Sequence, residues 1–573
     1  MITPMTKYSF IFLSSEKEGF IGKLQELGLM DIVRSDKPVD ETSAALLKEA
    51  EALKAVLPSA KAESERISKE IKAAMAEEEA LKPWGGFDPK AVEGLAGMGL
   101  RMHWYTCSRK VFDPTWKEEY PIVVVSEEPE VRFVAVLPSG EGNPLPIKEI
   151  PAPSCSASEV AERIAGLQAA LEENDRKVAS LEAQAEVYET RYRSAMAGLD
   201  RYLASVAACP AAENTIQTLV GYAPTENDAA VTGCLDKLDV LYLKEAATPS
   251  DNPPIKLKNN RFVRSFEMLT DMYGRPVYDE FDPTPFLSIF FLLFFAMCMG
   301  DAGYGLLLII IGQVLKKVRG MEDISPLVTI LGVGTLVVGF VMHTFFGVDI
   351  AALSWIPEWM KKCMITGNIA GFDAQMVLSI IIGIVHLSLA MIVKTVYSTK
   401  RKGFLGSLGT WGWTLLIVGG VATGGLALAG VIGSAVTKWI IIGLGVISAL
   451  GIFLFNDIHR SPLKNIGAGL WETYNTATGL LGDVLSYLRL YALGLAGGML
   501  GQAFNNIASM TIGDGGFGFG WIPFILILLV GHALNLAMCC LGAFVHPLRL
   551  NFLEFFKNSG YEGKGRIYRP INK

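Results

Sequence analysis

The chain has 573 residues, of which 51% are hydrophobic and 19% charged, with a net charge of −7. It is too apolar for an ordinary soluble protein of this length, and its acidic balance offers no basic footprint for nucleic acid. Charge is concentrated before about Pro283 and apolar runs dominate beyond it, which predicts a cytoplasmic domain over 1–280 and a transmembrane domain over 281–573.

No secretory signal precedes the first strand pattern, so the N-terminus is expected in the cytosol. The eight cysteines show no CxxC spacing and are read as reduced thiols; no metal site and no cofactor is expected. The first forty residues read as strand 8–13, helix 16–27 and strand 30–33. A helix over about 41–82 then carries apolar residues from Leu46 to Leu81, among them Ala50, Leu53, Leu57, Ile67, Ile71 and Ala74, on the 4-3 alternation of a coiled-coil seam. Pro58 is expected to bend or interrupt it. Strands are predicted at 122–125 and 131–137, split by a Glu-Glu-Pro-Glu turn at 127–130. A second seam runs from Val160 to Tyr202 on a helix over about 157–206. One such helix alone buries too little to be stable, so the two are expected to pair antiparallel as a rod with a globular α+β end.

Two short apolar runs, 286–299 and 306–315, flank Gly300-Asp301-Ala302-Gly303-Tyr304-Gly305. They are either one kinked helix or a hairpin of two short spans. Longer apolar runs follow at about 325–346, 374–396, 408–430 and 438–456, and two more begin near 467 and 520. Lys316, Lys317 and Arg319 follow the second run, Lys394, Lys400, Arg401 and Lys402 the fourth, and Arg460 and Lys464 the sixth. The alternate loops hold only Lys361, Lys362 and Lys438. Keeping the basic loops inside favours the hairpin, with Asp301 at its external tip. The result is an all-α membrane domain of about eight spans with both termini cytoplasmic.

A charge at membrane depth is rare and usually functional. Arg489 stands deep in the seventh span, and its helical neighbours Gly482, Leu485, Ser486, Ala492, Leu493 and Ala496 include no carboxylate. An always-ionised guanidinium on such a face points to a carboxylate on another chain. Arg549 recurs in the eighth span, with Glu554 five residues on, roughly 140° around an ideal helix. Asp483, Gln502, Asn505, His532, Asn535 and His546 cluster in the last two spans and could line two aqueous routes to the level of Arg489. His386 reads as a packing residue.

The run Ser486-Tyr487-Leu488-Arg489-Leu490-Tyr491-Ala492-Leu493 resembles the signature of subunit a of V-type ATPases, called subunit I in archaeal-type and bacterial complexes. So do His546-Pro547-Leu548-Arg549-Leu550 with Glu554, and the hairpin motif around Asp301. Pro253-Pro254 through Asn259, 262–267 and Met272-Tyr273-Gly274 look like that family's linker into the membrane, and 218–224 like its strand–turn segment. The resemblance implies a non-catalytic stator of a V/A-type rotary ATPase in a bacterial or archaeal cell membrane. In it, Arg489 and Arg549 would face carboxylates of a rotating proteolipid c/K ring. The implied partners are peripheral-stalk E and G subunits, a central-rotor d/C-type subunit and membrane lipids. Two positions depart from the eukaryotic pattern: Cys539 stands where a glutamate is found, ten residues before Arg549, and Gly497 where a histidine is found, eight after Arg489. No GxxxxGK[ST] phosphate loop occurs, which leaves nucleotide chemistry to other subunits. The alternative reading is a secondary transporter with a cytoplasmic coiled-coil regulatory domain; it lacks a repeat linking the first four spans to the last four.

Overall fold

The computed structural model describes every residue except 36, 86, 88, 128–129, 139–144, 153–154, 239, 319, 355, 370, 455–461, 513–519 and 572–573. Arg319, Arg460 and the middle of the 127–130 turn therefore lie outside the described residues. An α+β N-terminal region with long helices is followed by a helical C-terminal region. The chain forms two units, Met1–Phe10 with Val220–Pro570 and Ile11–Leu219 with Ile571–Lys573.

In the second of these units the rod is present. Its helices are Glu41–Leu81, opened by a capping box at Asp40 and Ser43, and Ala157–Ala183 with Ala185–Ala207, opened by a capping box at Ser156 and Glu159. The seam residues predicted from the 4-3 pattern are all buried or half-buried. Cross-contacts fix the direction: Asp40 pairs with Tyr202, Lys61 with Glu182, Ser64 with Asp175, and Glu77 with Arg163. Rising numbers on one helix meet falling numbers on the other, so the pairing is antiparallel. Pro58 does not interrupt its helix, which continues on both sides. The interruption falls at Gln184 of the partner helix instead, two residues beyond Glu182 of the Lys61–Glu182 contact and level with Pro58. At one end Ala74, Leu81, Val160 and Ile164 pack on Trp84 and Trp104. The sheet there has four strands, ordered Ile122–Ser126, Val131–Pro138, Leu100–Cys107 and Glu149–Ile150, two more than the pattern predicted. Leu100–Cys107 was not predicted, although Leu100, Met102 and Trp104 alternate with Arg101 and His103.

A second sheet is ordered Asp31–Ile32, Ile216–Pro224, Met5–Leu13 and Leu241–Ala246. In the first unit, Tyr8 donates to Asp228 at 2.8 Å and Lys7 pairs with Asp251 at 2.6 Å.

Among the described residues, five helical stretches in the C-terminal region are long and apolar enough to cross a membrane: Ala374–Lys402, Leu405–Leu428, Ser434–Leu454, Leu463–Ser509 and Trp521–Ser559. Three shorter apolar helices, Thr284–Met299, Ala302–Leu315 and Ser325–Val341, precede them. Ser325–Val341 packs against Ala302–Leu315 through small residues: a Cβ on Gly305 would lie 2.4 Å from the Leu336 amide nitrogen, and one on Gly339 2.3 Å from that of Ala302. The same helix touches Leu292 at Gly334. A straight continuation of Ala302–Leu315 backwards would carry Leu292 past the end of Ser325–Val341. The chain therefore reverses at Gly300-Asp301, and the hairpin holds against the kinked helix. Gly300 takes the left-handed conformation (φ 59°) that ends the first arm.

Candidate functional site

Asp301 is the N-cap of the second hairpin arm. Its Oδ1 accepts the N–H of Gly303 at 2.8 Å, of Tyr304 at 3.2 Å and of Phe346 at 2.8 Å, while Oδ2 accepts that of Gly347 at 2.7 Å. The side chain is 1% exposed, so the hairpin reversal at Asp301 is buried. The turn at 343–347, with Phe346 at φ 47° and Gly347 at φ 71°, closes over it, and Gly347 abuts the backbone of Gly501 and Gln502. Four backbone donors around one buried carboxylate explain how a charge is tolerated there.

Three of the predicted polar residues come together beside this clasp. Asn505 Nδ2 donates to the Phe346 carbonyl at 2.7 Å, which turns its Oδ1 toward His532 Nε2 at 3.0 Å. That oxygen only accepts, so Nε2 carries the hydrogen; Nδ1 of the neutral ring then accepts from the Tyr304 hydroxyl at 2.8 Å. The Tyr304 oxygen in turn accepts from Asn535 Nδ2 at 2.8 Å, and Asn535 Oδ1 from Cys539 Sγ at 3.3 Å. Every donor in the chain points the same way, from Cys539 to Phe346. Tyr304 is the member that sequence reasoning missed, although it stands in the hairpin motif three residues after Asp301.

A second group gathers around the arginines. Asp483 accepts from Asn558 Nδ2 at 2.8 Å, and the same nitrogen reaches the Glu554 carbonyl at 2.6 Å. Glu554 is 4% exposed, its Oε2 has no hydrogen-bond partner, and Asp483, Arg489 and Arg549 all lie within its electrostatic reach. His546 lies within reach of both arginines. The 140° estimate for Arg549 and Glu554 does not hold, because Leu550–Phe556 is a π-helix, whose i→i+5 hydrogen bonds widen the turn and bring residues five apart closer in rotation. Arg549 is nonetheless exposed while Glu554 is buried. Gln502 is exposed and joins neither group.

Arg489, at the start of Leu488–Ser509, is half-buried, and its Nη1 is buried with no hydrogen-bond partner. Among the described residues neither arginine has a carboxylate within the 4.0 Å of an ion pair. On the face of Arg489, one and two turns back, Leu485 is 53% exposed and nothing lies within 4 Å of the Cβ position of Gly482.

Residues 154–321 match the V-type ATPase 116 kDa subunit family. Over 356 residues, 57% of this chain, the sequence is 34% identical to the A-type ATP synthase subunit I of Methanocaldococcus jannaschii, covering 50% of that protein. It is 32% identical over 335 residues to the A-type ATP synthase subunit I of Pyrococcus abyssi, covering 48%. Alignment with the V-type ATP synthase subunit I 1 of Treponema pallidum covers 100% of both chains at 26% identity. The chain is thus similar to subunit I of A-type and V-type ATP synthases, and its residues 154–321 to the V-type ATPase 116 kDa subunit family. It spans about half the length of the archaeal members of the family that it matches.

Gly497 and Cys539, far apart in sequence, meet in space. A Cβ on Gly497 would stand 2.8 Å from Cys539 Sγ, and the Gly497 carbonyl accepts from Asn535 Nδ2 at 2.9 Å. The polar groups beside these two positions are Asn535, Tyr304 and His532.

Proposed function

We propose that this chain is the membrane stator of a V/A-type rotary ATPase, carrying H⁺ or Na⁺ through two half-channels against a rotating proteolipid c/K ring. The observation that carries this reading is the Arg489 guanidinium: partly buried, without an ion-paired carboxylate among the described residues, on a helix face left open at Gly482 and Leu485. A ring carboxylate facing lipid must be neutral, holding its ion. Opposite Arg489 it can ionise, because the fixed positive charge offsets the lost hydration. The ion leaves by one route and is reloaded from the other, and Arg489 bars direct passage between them.

The Asp483, Glu554 and His546 group lies near Arg489 on one side. The Asn505, His532 and Asn535 chain lies further along the same pair of helices, which suits two routes approaching from opposite sides. The eight-span topology is supported by Arg401, whose Nε and Nη2 donate to the two oxygens of Asp279 at 2.5 and 2.7 Å. Asp279 precedes the first arm of the hairpin and Arg401 ends the fourth span, so both ends share a face only if an even number of crossings separates them, which suits four rather than the three of a single kinked helix. That face, with the rod and both termini, is assigned to the cytoplasm of a bacterial or archaeal cell membrane. The rod would bind peripheral-stalk E and G subunits, a central-rotor d/C-type subunit would turn beneath, and lipids would cover the apolar flanks. The stator hydrolyses no ATP itself.

The test is ATP-driven ion uptake into vesicles carrying the assembled complex. Arg489→Ala abolishes uptake with assembly intact, Arg489→Lys restores little because an ammonium lacks the planar fork, and Arg549→Ala retains part of it. Near-normal uptake by Arg489→Ala would sink this reading.

A further inference from the structure

The helix that carries Arg489 has one irregular step, at Tyr487. Its N–H reaches the Val484 carbonyl at 3.2 Å and its carbonyl takes the N–H of Leu490 at 3.1 Å, a three-residue tightening between Pro462–Ser486 and Leu488–Ser509. The Tyr487 side chain is 0% exposed and sits against one turn of Ala374–Lys402. A Cβ at Gly383 would stand 2.4 Å from Tyr487 Cγ, so a side chain there would displace the ring. One turn on, His386 Nδ1 lies 2.8 Å from the Tyr487 hydroxyl. The imidazole is itself 0% exposed, stacks on Phe555 with 4.6 Å between centroids, and is closed in by Phe290 at 4.1 Å and Phe294 at 5.1 Å.

An α-helix advances about 100° per residue, so Arg489, two residues after Tyr487, projects from nearly the opposite side. Holding Tyr487 inward turns Arg489 outward, onto the face that Gly482 and Leu485 leave open. We propose that Gly383 and His386 are positioning residues: together they form a socket for Tyr487 that fixes the rotation of the seventh-span helix and hence the direction of the Arg489 guanidinium. The hydrogen bond matters more here than the ring packing, because an aromatic box tolerates a phenyl ring in place of imidazole while the hydroxyl anchor has no substitute in the cage. This inference rests on the reading of Arg489 given above.

The test measures ions taken up per ATP hydrolysed in vesicles of the full complex, normalised to assembled protein. Tyr487→Phe removes one oxygen and keeps the ring; His386→Phe keeps the box filled and removes the anchor. Each is expected to lower the ratio roughly three- to tenfold, the scale of one lost hydrogen bond at a positioned group. The double variant is expected to be no worse than either single one, and His386→Gln, whose amide can still meet the hydroxyl, to recover most of the ratio. Normal coupling in Tyr487→Phe overturns the socket whatever the other variants do. If His386→Phe fails to assemble, Tyr487→Phe and His386→Gln decide. Arg489→Ala separates the two levels: if it is inactive while Tyr487→Phe couples normally, only the socket falls, whereas normal coupling in Arg489→Ala removes the reading beneath it.

Discussion

The carboxylate of Asp301 holds the backbone of Gly347, accepting its N–H at 2.7 Å across forty-six residues of chain. The same carboxylate caps the helix that begins at Ala302, so one side chain sets both the hairpin reversal and the turn that closes over it. Asp301→Ala leaves buried N–H groups without acceptors, at about 1–3 kcal/mol for each. A marked fall in the thermal midpoint of the purified protein in detergent is expected, with Asp301→Asn, which keeps one acceptor oxygen, intermediate. An unchanged midpoint for the alanine variant would contradict the clasp.

Tyr304→Phe cuts the directed chain at its centre, leaving His532 Nδ1 without its donor and Asn535 Nδ2 with only the Gly497 carbonyl. The expected loss is about 1–3 kcal/mol of stability. His532→Phe should add little on top of it, because both changes break the same link. Full additivity of the two changes in denaturation would show that the pair does not act as one unit.

Close helix packing at the hairpin depends on the absence of a side chain. Gly339→Ala forces a methyl group to within 2.3 Å of the Ala302 nitrogen, whereas nothing lies within 4 Å of the Cβ position of Gly420. Overpacking of this kind costs about 1–3 kcal/mol. Gly339→Ala should therefore lower thermal stability while Gly420→Ala leaves it unchanged, and equal melting of the two would count against this packing.

Asp251 accepts from Lys7 and from Thr248, and these hydrogen bonds, the Lys7 one foremost, hold its carboxyl down from 3.8 to about 2. A folded-state value below the unfolded one contributes stability that is fully present above pH 3.8 and is lost as the pH falls toward 2. Asp251→Asn should flatten that part of the acid-unfolding curve and leave the curve near neutrality otherwise parallel. An unaltered acid limb would remove Asp251 as its source.

Ser64 lies on the rod, bonded to Asp175 at 2.8 Å. A cysteine placed there should resist a membrane-impermeant thiol reagent applied to intact cells and react after permeabilisation. Labelling from outside would invert the proposed topology.

The rod and the order of apolar segments were legible because both are written in local periodicity: a 4-3 seam and long apolar runs keep their meaning whatever they pack against. Arg489 was legible for a similar reason, since a charge without a local partner inside an apolar helix is conspicuous by itself. What the local pattern could not carry was partnership between residues far apart in the chain. Tyr304 meets His532 at 2.8 Å across 228 positions, and His386 meets Tyr487 across 101. Before folding, each is one polar atom on an aromatic ring, indistinguishable from a packing residue. Hairpin against kinked helix, the burial of Asp301 as a helix cap, and an ideal helix against the π turn at Glu554 were likewise decided only in three dimensions. Each depends on which backbone N–H groups converge on a side chain or which helix lies alongside, and tertiary packing selects among local conformations that differ by only a few kcal/mol.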